Sequence, residues 1–191
     1  MKNAIQRMSL RAQRIGFSLL FVCALSMMAE TLLSITPLGP RALISAPCAA
    51  PEYSEFDFWL GDWDAFDVDN PGVKIARTRV DRILNGCVLG EVYEGTDGHE
   101  GQSFSIYDMS RKVWHQSWVT NRGELLVIEG KIQAGEMVLS GVDHPVGVQE
   151  RHVRGTWKPV GGGVREVAII STDGGKGWKP WFDLMFRPHK P

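Results

Sequence analysis

His115 and Ser117 stand two positions apart in the segment Lys112 to Thr120, where a base and a hydroxyl nucleophile lie close in sequence. Nucleophilic catalysis needs such groups in hydrogen-bond contact, and residues two apart on one strand face lie about 6.5–7 Å apart, so no catalytic pair is expected. The histidines His99, His115, His144, His152 and His189 show neither H-x-x-x-H nor H-x-H spacing, and no metal or cofactor is expected from them.

A binding surface is better supported than a reaction. Alternation along the same strand puts Trp114, Gln116 and Trp118 on one face and Val113, His115, Ser117 and Val119 on the other. Two indoles facing water would make an exposed apolar patch, so the face with Trp114, Gln116 and Trp118 is expected to point inward, with Gln116 as a polar handle between aromatic walls. On the adjoining strand either Phe104 and Ile106 or Ser103, Ser105 and Tyr107 line the interior. Arg154 and Glu166 fall near facing positions of a hairpin at Gly161 to Gly163, and Arg79 and Glu91 lie across a hairpin at Asn85-Gly86. Each is read as an exposed cross-strand pair or as an inward anchor for a ligand carboxylate.

Positioning these residues requires a sheet, and the chain after residue 50 is written as one. Short alternating segments are separated by turn chemistry, and no stretch keeps helical period for three turns. Ten strands are expected, at about 62–68, 73–84, 87–95, 102–108, 112–120, 124–133, 136–142, 149–159, 164–172 and 178–187. Links of hairpin length favour an all-β, ten-stranded antiparallel up-and-down barrel, because closure removes exposed edges. Eight strands already leave room for side chains or one small ligand, so ten should enclose a cavity. Before the first strand, Tyr53 to Leu60 carries Phe56, Phe58, Trp59 and Leu60, enough bulk for a short helical plug at one mouth.

The N-terminal 50 residues read differently. Lys2, Arg7, Arg11 and Arg14 precede fifteen uncharged residues, Ile15 to Ala29, the order of a secretory signal; the run is short of the roughly 20 residues of a membrane-crossing helix. A cut after Ala50 would leave a domain of residues 51–191, periplasmic or secreted, with a membrane tether as the lesser alternative. Cys48 is a poor lipid site because Pro47 precedes it, and the exported portion would keep only Cys87, a lone buried thiol. Of the 21 basic and 22 acidic residues in the chain, five basic residues and one acid lie before residue 51, so the remainder is mildly acidic. Dispersed basic residues exclude a nucleic-acid footprint.

Gly61-Asp62-Trp63 at the head of the first strand and Arg187 at the end of the last resemble the calycin closure of lipocalins and fatty-acid-binding proteins. That resemblance implies a cation–π contact between Trp63 and Arg187. Gly86-Cys87-Val88-Leu89, Tyr107-Asp108, Trp114 to Val119 and Ser171 to Trp178 together resemble an exported, lipocalin-like bacterial family, domain of unknown function 1579, over about residues 54–187. It implies a fold and no reaction. Ser171, Asp173, Gly174, Gly175 and Trp178 also resemble an Asp-box turn, a hairpin device, and a single copy excludes a propeller.

The expected function is therefore noncatalytic binding of a small apolar or amphipathic molecule inside an exported barrel. The alternatives are an enzyme, a hydrolase or isomerase with His115 or Glu166 as general base, and an envelope interaction module with a filled barrel.

Overall fold

The computed structural model describes residues 47–191, so most of the expected export segment lies outside the described residues. Two short 3-10 turns, Pro51–Ser54 and Asp57–Trp59, lead into ten strands: β1 Gly61–Asp67, β2 Lys74–Ile83, β3 Val88–Gly95, β4 Glu100–Asp108, β5 Val113–Thr120, β6 Leu125–Gln133, β7 Glu136–Asp143, β8 Arg151–Val160, β9 Gly163–Ser171 and β10 Lys179–Pro188. Each strand pairs antiparallel with its sequence neighbours, and β1 pairs with β10, which closes the barrel. Among the described residues no helix is long and apolar enough to cross a membrane.

Alternation assigns the two faces. Trp63, Ala76, Val80, Leu89, Tyr107, Trp114, Ile128, Met137, Leu139, Trp157, Val164 and Phe186 are buried inside. The adjoining strand β4 turns Ser103, Ser105 and Tyr107 inward and leaves Phe104 half exposed outside.

One mouth is sealed by the plug. Phe56 is fully buried, edge-on to Trp114 and Trp157 at 5.7 Å each. Trp59 packs edge-on to Phe186 at 4.7 Å and stacks against Trp63 at 6.2 Å. Indole donors fix the depth of the plug: Trp63 Nε1 donates to the Trp59 carbonyl at 3.0 Å and Trp114 Nε1 to Glu55 Oε2 at 3.1 Å. Arg82 ties it to the wall through Asp57, the Tyr53 carbonyl and the Gly86 carbonyl.

Three expectations change here. Cys87 is not a lone thiol: it is disulfide-bonded to Cys48, with Cα atoms 5.1 Å apart. Cys48 thus belongs to the barrel, and a cut after Ala50 would discard half of the bridge. The link at Asn85-Gly86 is longer than a two-residue turn, because Ile83 and Val88 are the last pair and Leu84, Asn85 and Gly86 all have positive φ. That excursion is what carries Cys87 towards Cys48. Finally, Arg187 does not cover Trp63. It pairs with outward Asp64, and its guanidinium lies over Phe66 at 4.4 Å and donates to the Pro71 carbonyl at 3.0 Å. The ring that covers Trp63 is Trp59.

A bridge across 39 residues restricts the unfolded chain by an amount that loop-closure entropy puts at about 4 kcal/mol. Cys87→Ser, or reduction of the parent protein, is expected to lower Tm by on the order of 10 °C in calorimetry. An unchanged Tm would show that the bridge does not constrain the fold.

Candidate functional site

The inward faces enclose a cavity of about 630 Å³. Its floor rests on Trp157 and Phe186, whose far sides contact the plug residues Phe56 and Trp59. Tyr93, Trp118, Leu126 and Leu184 supply apolar wall. Tyr93 and Trp118 meet edge to face at 5.9 Å, and Trp118 fits because Gly101 lies beneath it: a Cβ there would come within 2.3 Å of the indole. At the rim, Arg151 pairs with Asp143 at 2.8 Å and lies over Trp181 at 4.3 Å.

The polar part of the wall is a chain of hydrogen bonds. Gln116 Nε2 donates to Ser105 Oγ at 3.0 Å and to Ser103 Oγ at 3.4 Å, and Ser103 Oγ donates to Glu91 Oε2 at 2.7 Å. Glu91 is 9% exposed, and burial pushes its carboxyl up to about 7 against the opposing hydrogen bond from Ser103. Glu166 also lines the cavity and is raised well above the usual carboxylate range, first by burial and then by the charge on Glu91, with the Trp157 indole opposing.

The sequence-derived residues separate accordingly. Gln116 and Trp118 line the cavity, as do Glu91 and Glu166. Trp114 points inward but is packed under the floor, 1% exposed, and does not line it. Arg154 and Arg79 are exposed on the outer face, so neither anchors anything inside. The reason is parity. Glu91 faces Val80 and Glu166 faces Trp157, which leaves Arg79 opposite Val92 and Arg154 opposite Ile169. Arg154 instead lies over Trp178 at 4.6 Å. Ser103 belongs to one of the two sets expected to face inward on β4, whereas Tyr93, Trp157 and the Asp143–Arg151 pair carry no expectation from sequence; the alternation Val153, Gly155, Trp157 was the available signal.

The Asp-box segment is a turn. Asp173 Oδ1 accepts from the amides of Lys176 at 3.0 Å and Gly177 at 2.9 Å, and its carboxyl is held low chiefly by the Gly177 amide. Gly174 and Gly175 take φ of 73° and 86°, and Trp178 Nε1 donates to the Gly175 carbonyl at 3.0 Å.

His115 and Ser117 do reach one another, contrary to expectation. His115 Nε2 lies 3.1 Å from Ser117 Oγ, and Nδ1 lies 2.8 Å from Glu129 Oε1. The backbone spacing was right, but the imidazole spans it. This relay sits on the outer face, away from the cavity, and Glu129 is shared with Arg111 at 2.8 Å. Both neighbours of Ser117, Phe104 and Val127, are paired strand residues, so no free backbone amides converge there as an oxyanion site requires. Among the described residues no three His, Cys, Asp or Glu side chains are placed to share a metal ion.

No protein-family model matches the chain, and no curated protein matches it.

Two outcomes follow from this geometry. A carboxyl raised on folding favours the folded state below its unfolded value of about 4.5, and that contribution is lost as pH rises through about 7. The shift corresponds to on the order of 3 kcal/mol. Thermal melts of the empty barrel from pH 4 to 8 should therefore show parent stability falling relative to Glu91→Gln; a constant difference would refute the assignment. On the outer face, a fluorophosphonate probe should leave Ser117 unmodified by mass spectrometry, whereas stoichiometric labelling would make the relay catalytic.

Proposed function

We propose that the protein is an exported, noncatalytic carrier that binds one small amphipathic molecule inside its barrel. The observation that carries this reading is a cavity of about 630 Å³, sealed by an aromatic plug at one end and walled by Tyr93, Trp118 and Trp157. Pockets for small molecules fall at roughly 300–1,000 Å³ and combine apolar walls with a few placed polar groups. The Cys48–Cys87 bridge is compatible with an extracytoplasmic protein, and the basic-then-apolar N-terminal segment supports export. The proposed kinship with the domain of unknown function 1579 group rests on the motifs in β3, β5 and the β9–β10 turn.

A filled interaction module draws no support from a hollow barrel. Catalysis is favoured by one feature: Glu91 supplies Glu166 with the neighbouring carboxylate that a general acid–base pair would use. Turnover of a molecule copurified from the native host and identified by native mass spectrometry would decide for that reading.

For the carrier, Trp118→Ala is expected to weaken affinity for the copurified molecule by roughly tenfold or more, because a cavity wall is lost. Its Tm should fall by only a few degrees, since the indole sits against the cavity rather than the plug. Titration calorimetry and thermal melts on the same preparation check this; a large loss of stability with unchanged affinity would return Trp118 to the core.

A further inference from the structure

The polar wall holds more acceptors than donors. With Glu91 ionised, the Ser103 hydroxyl hydrogen is committed to it, so Gln116 must donate its amide hydrogens to Ser103 and Ser105. That leaves the Gln116 carbonyl oxygen, the second Glu91 oxygen and the Glu166 carboxylate as acceptors, against the hydroxyl hydrogens of Ser105 and Tyr93 as donors. Trp157 stands opposite Glu166 in the β8–β9 register.

Charge is one-sided. Asp67, Glu91, Glu124, Asp143 and Glu166 line the cavity against a single arginine, Arg151. Arg151 is itself bound to Asp143 and Trp181 at the rim. No cation in the lining is paired with Glu91 or Glu166, and carboxylates held in a largely apolar cavity are expensive unless protonated or paired with a cation. Aromatic faces beside such a pair favour a cation further.

We propose that the cavity takes a cationic amphiphile, a small organic amine whose ammonium sits between Glu91 and Glu166 and whose hydrocarbon body lies against Tyr93 and Trp118. This rests on the carrier reading. A carboxylate ligand is disfavoured because Arg79 and Arg154 face outward and, among the described residues, the one arginine of the lining, Arg151, is already bound to Asp143. Binding displaces protons from Glu91 and Glu166, so affinity rises with pH. The other titratable or charged groups around the cavity are Tyr93, His99, Asp67, Glu124, Asp143, His144 and Arg151. Among these the carboxylates are identified by substitution rather than by the pH profile alone.

The test uses octylammonium, octanol and octanoate with the exported chain at pH 8, followed by titration calorimetry. Octylammonium is expected to bind roughly 10- to 100-fold more tightly than octanol, the range of one or two charge-assisted hydrogen bonds, and octanoate more weakly than either. Octylammonium binding should release protons, seen as an enthalpy that depends on the buffer, and should weaken from pH 8 to pH 5.5. Glu166→Gln and Glu91→Gln each remove a buried charge without changing shape, so folding is retained. Either should bring octylammonium close to octanol while octanol itself is unaffected. If octanol binds as well as octylammonium, or octanoate binds best, the amine inference fails and the carrier stands. If none of the three binds, both fail.

Discussion

A sheet of ten strands curls into a ring wider than its own side chains can fill, and every other feature of this protein answers to that geometric fact. One end must be occupied by chain from outside the sheet, and residues 51–60 supply it. Phe56 and Trp59 reach the axis, where Trp114, Trp157, Trp63 and Phe186 meet them at aromatic distances. Because the plug is too short to be stable alone, it is held by groups beyond its own turns: Arg82 from β2, indole donors from β1 and β5, and the Cys48–Cys87 bridge. The floor of the cavity is therefore only as firm as these tethers, which couples an N-terminal disulfide to the shape of an interior it does not touch.

The strands were legible because turn residues and period-two alternation are local signals, and no observed boundary departs from the expected one by more than two residues. Facing was legible only where one strand decides it alone. Trp114, Gln116 and Trp118 share a face whatever their neighbours do. Pairing across a hairpin is another matter, since one residue more or less in the link exchanges every partner. The observed register puts Val80, not Arg79, beside Glu91 and Trp157, not Arg154, beside Glu166, odd offsets of one and three residues that place each arginine on the opposite face. The same parity moved Arg187 outside. His115 failed for another reason: backbone spacing bounds Cα atoms, and a long side chain lying along the strand closes the gap. Cys48 was hidden because it lies in a segment whose composition reads as removable.

Parity also sorted the charges. Outside, arginines meet acids directly: Arg77 with Asp62 at 2.6 Å, Arg111 with Glu129 at 2.8 Å, Arg165 with Asp183 at 2.5 Å. Such exposed pairs are screened and contribute little to stability. Inside, Glu91 is hydrogen-bonded to Ser103, neither it nor Glu166 meets a cation among the described residues, and burial opposes their ionisation.

That asymmetry bears on how the barrel balances stability against use. Leu or Met at positions 91 and 166 would fill space without a desolvation cost, and buried ionisable groups are commonly outperformed by apolar ones of similar size. Two carboxylates lining one cavity with Tyr93, Gln116 and Trp118, Glu91 among them bonded to Ser103, make the empty state dependent on protonation. A proton stabilises the empty barrel, and any guest that brings its own positive charge competes with that proton for the same site. Occupancy, acidity and folding stability are then three readings of one equilibrium, set by carboxyls whose inward placement follows from the register of β3 and β9.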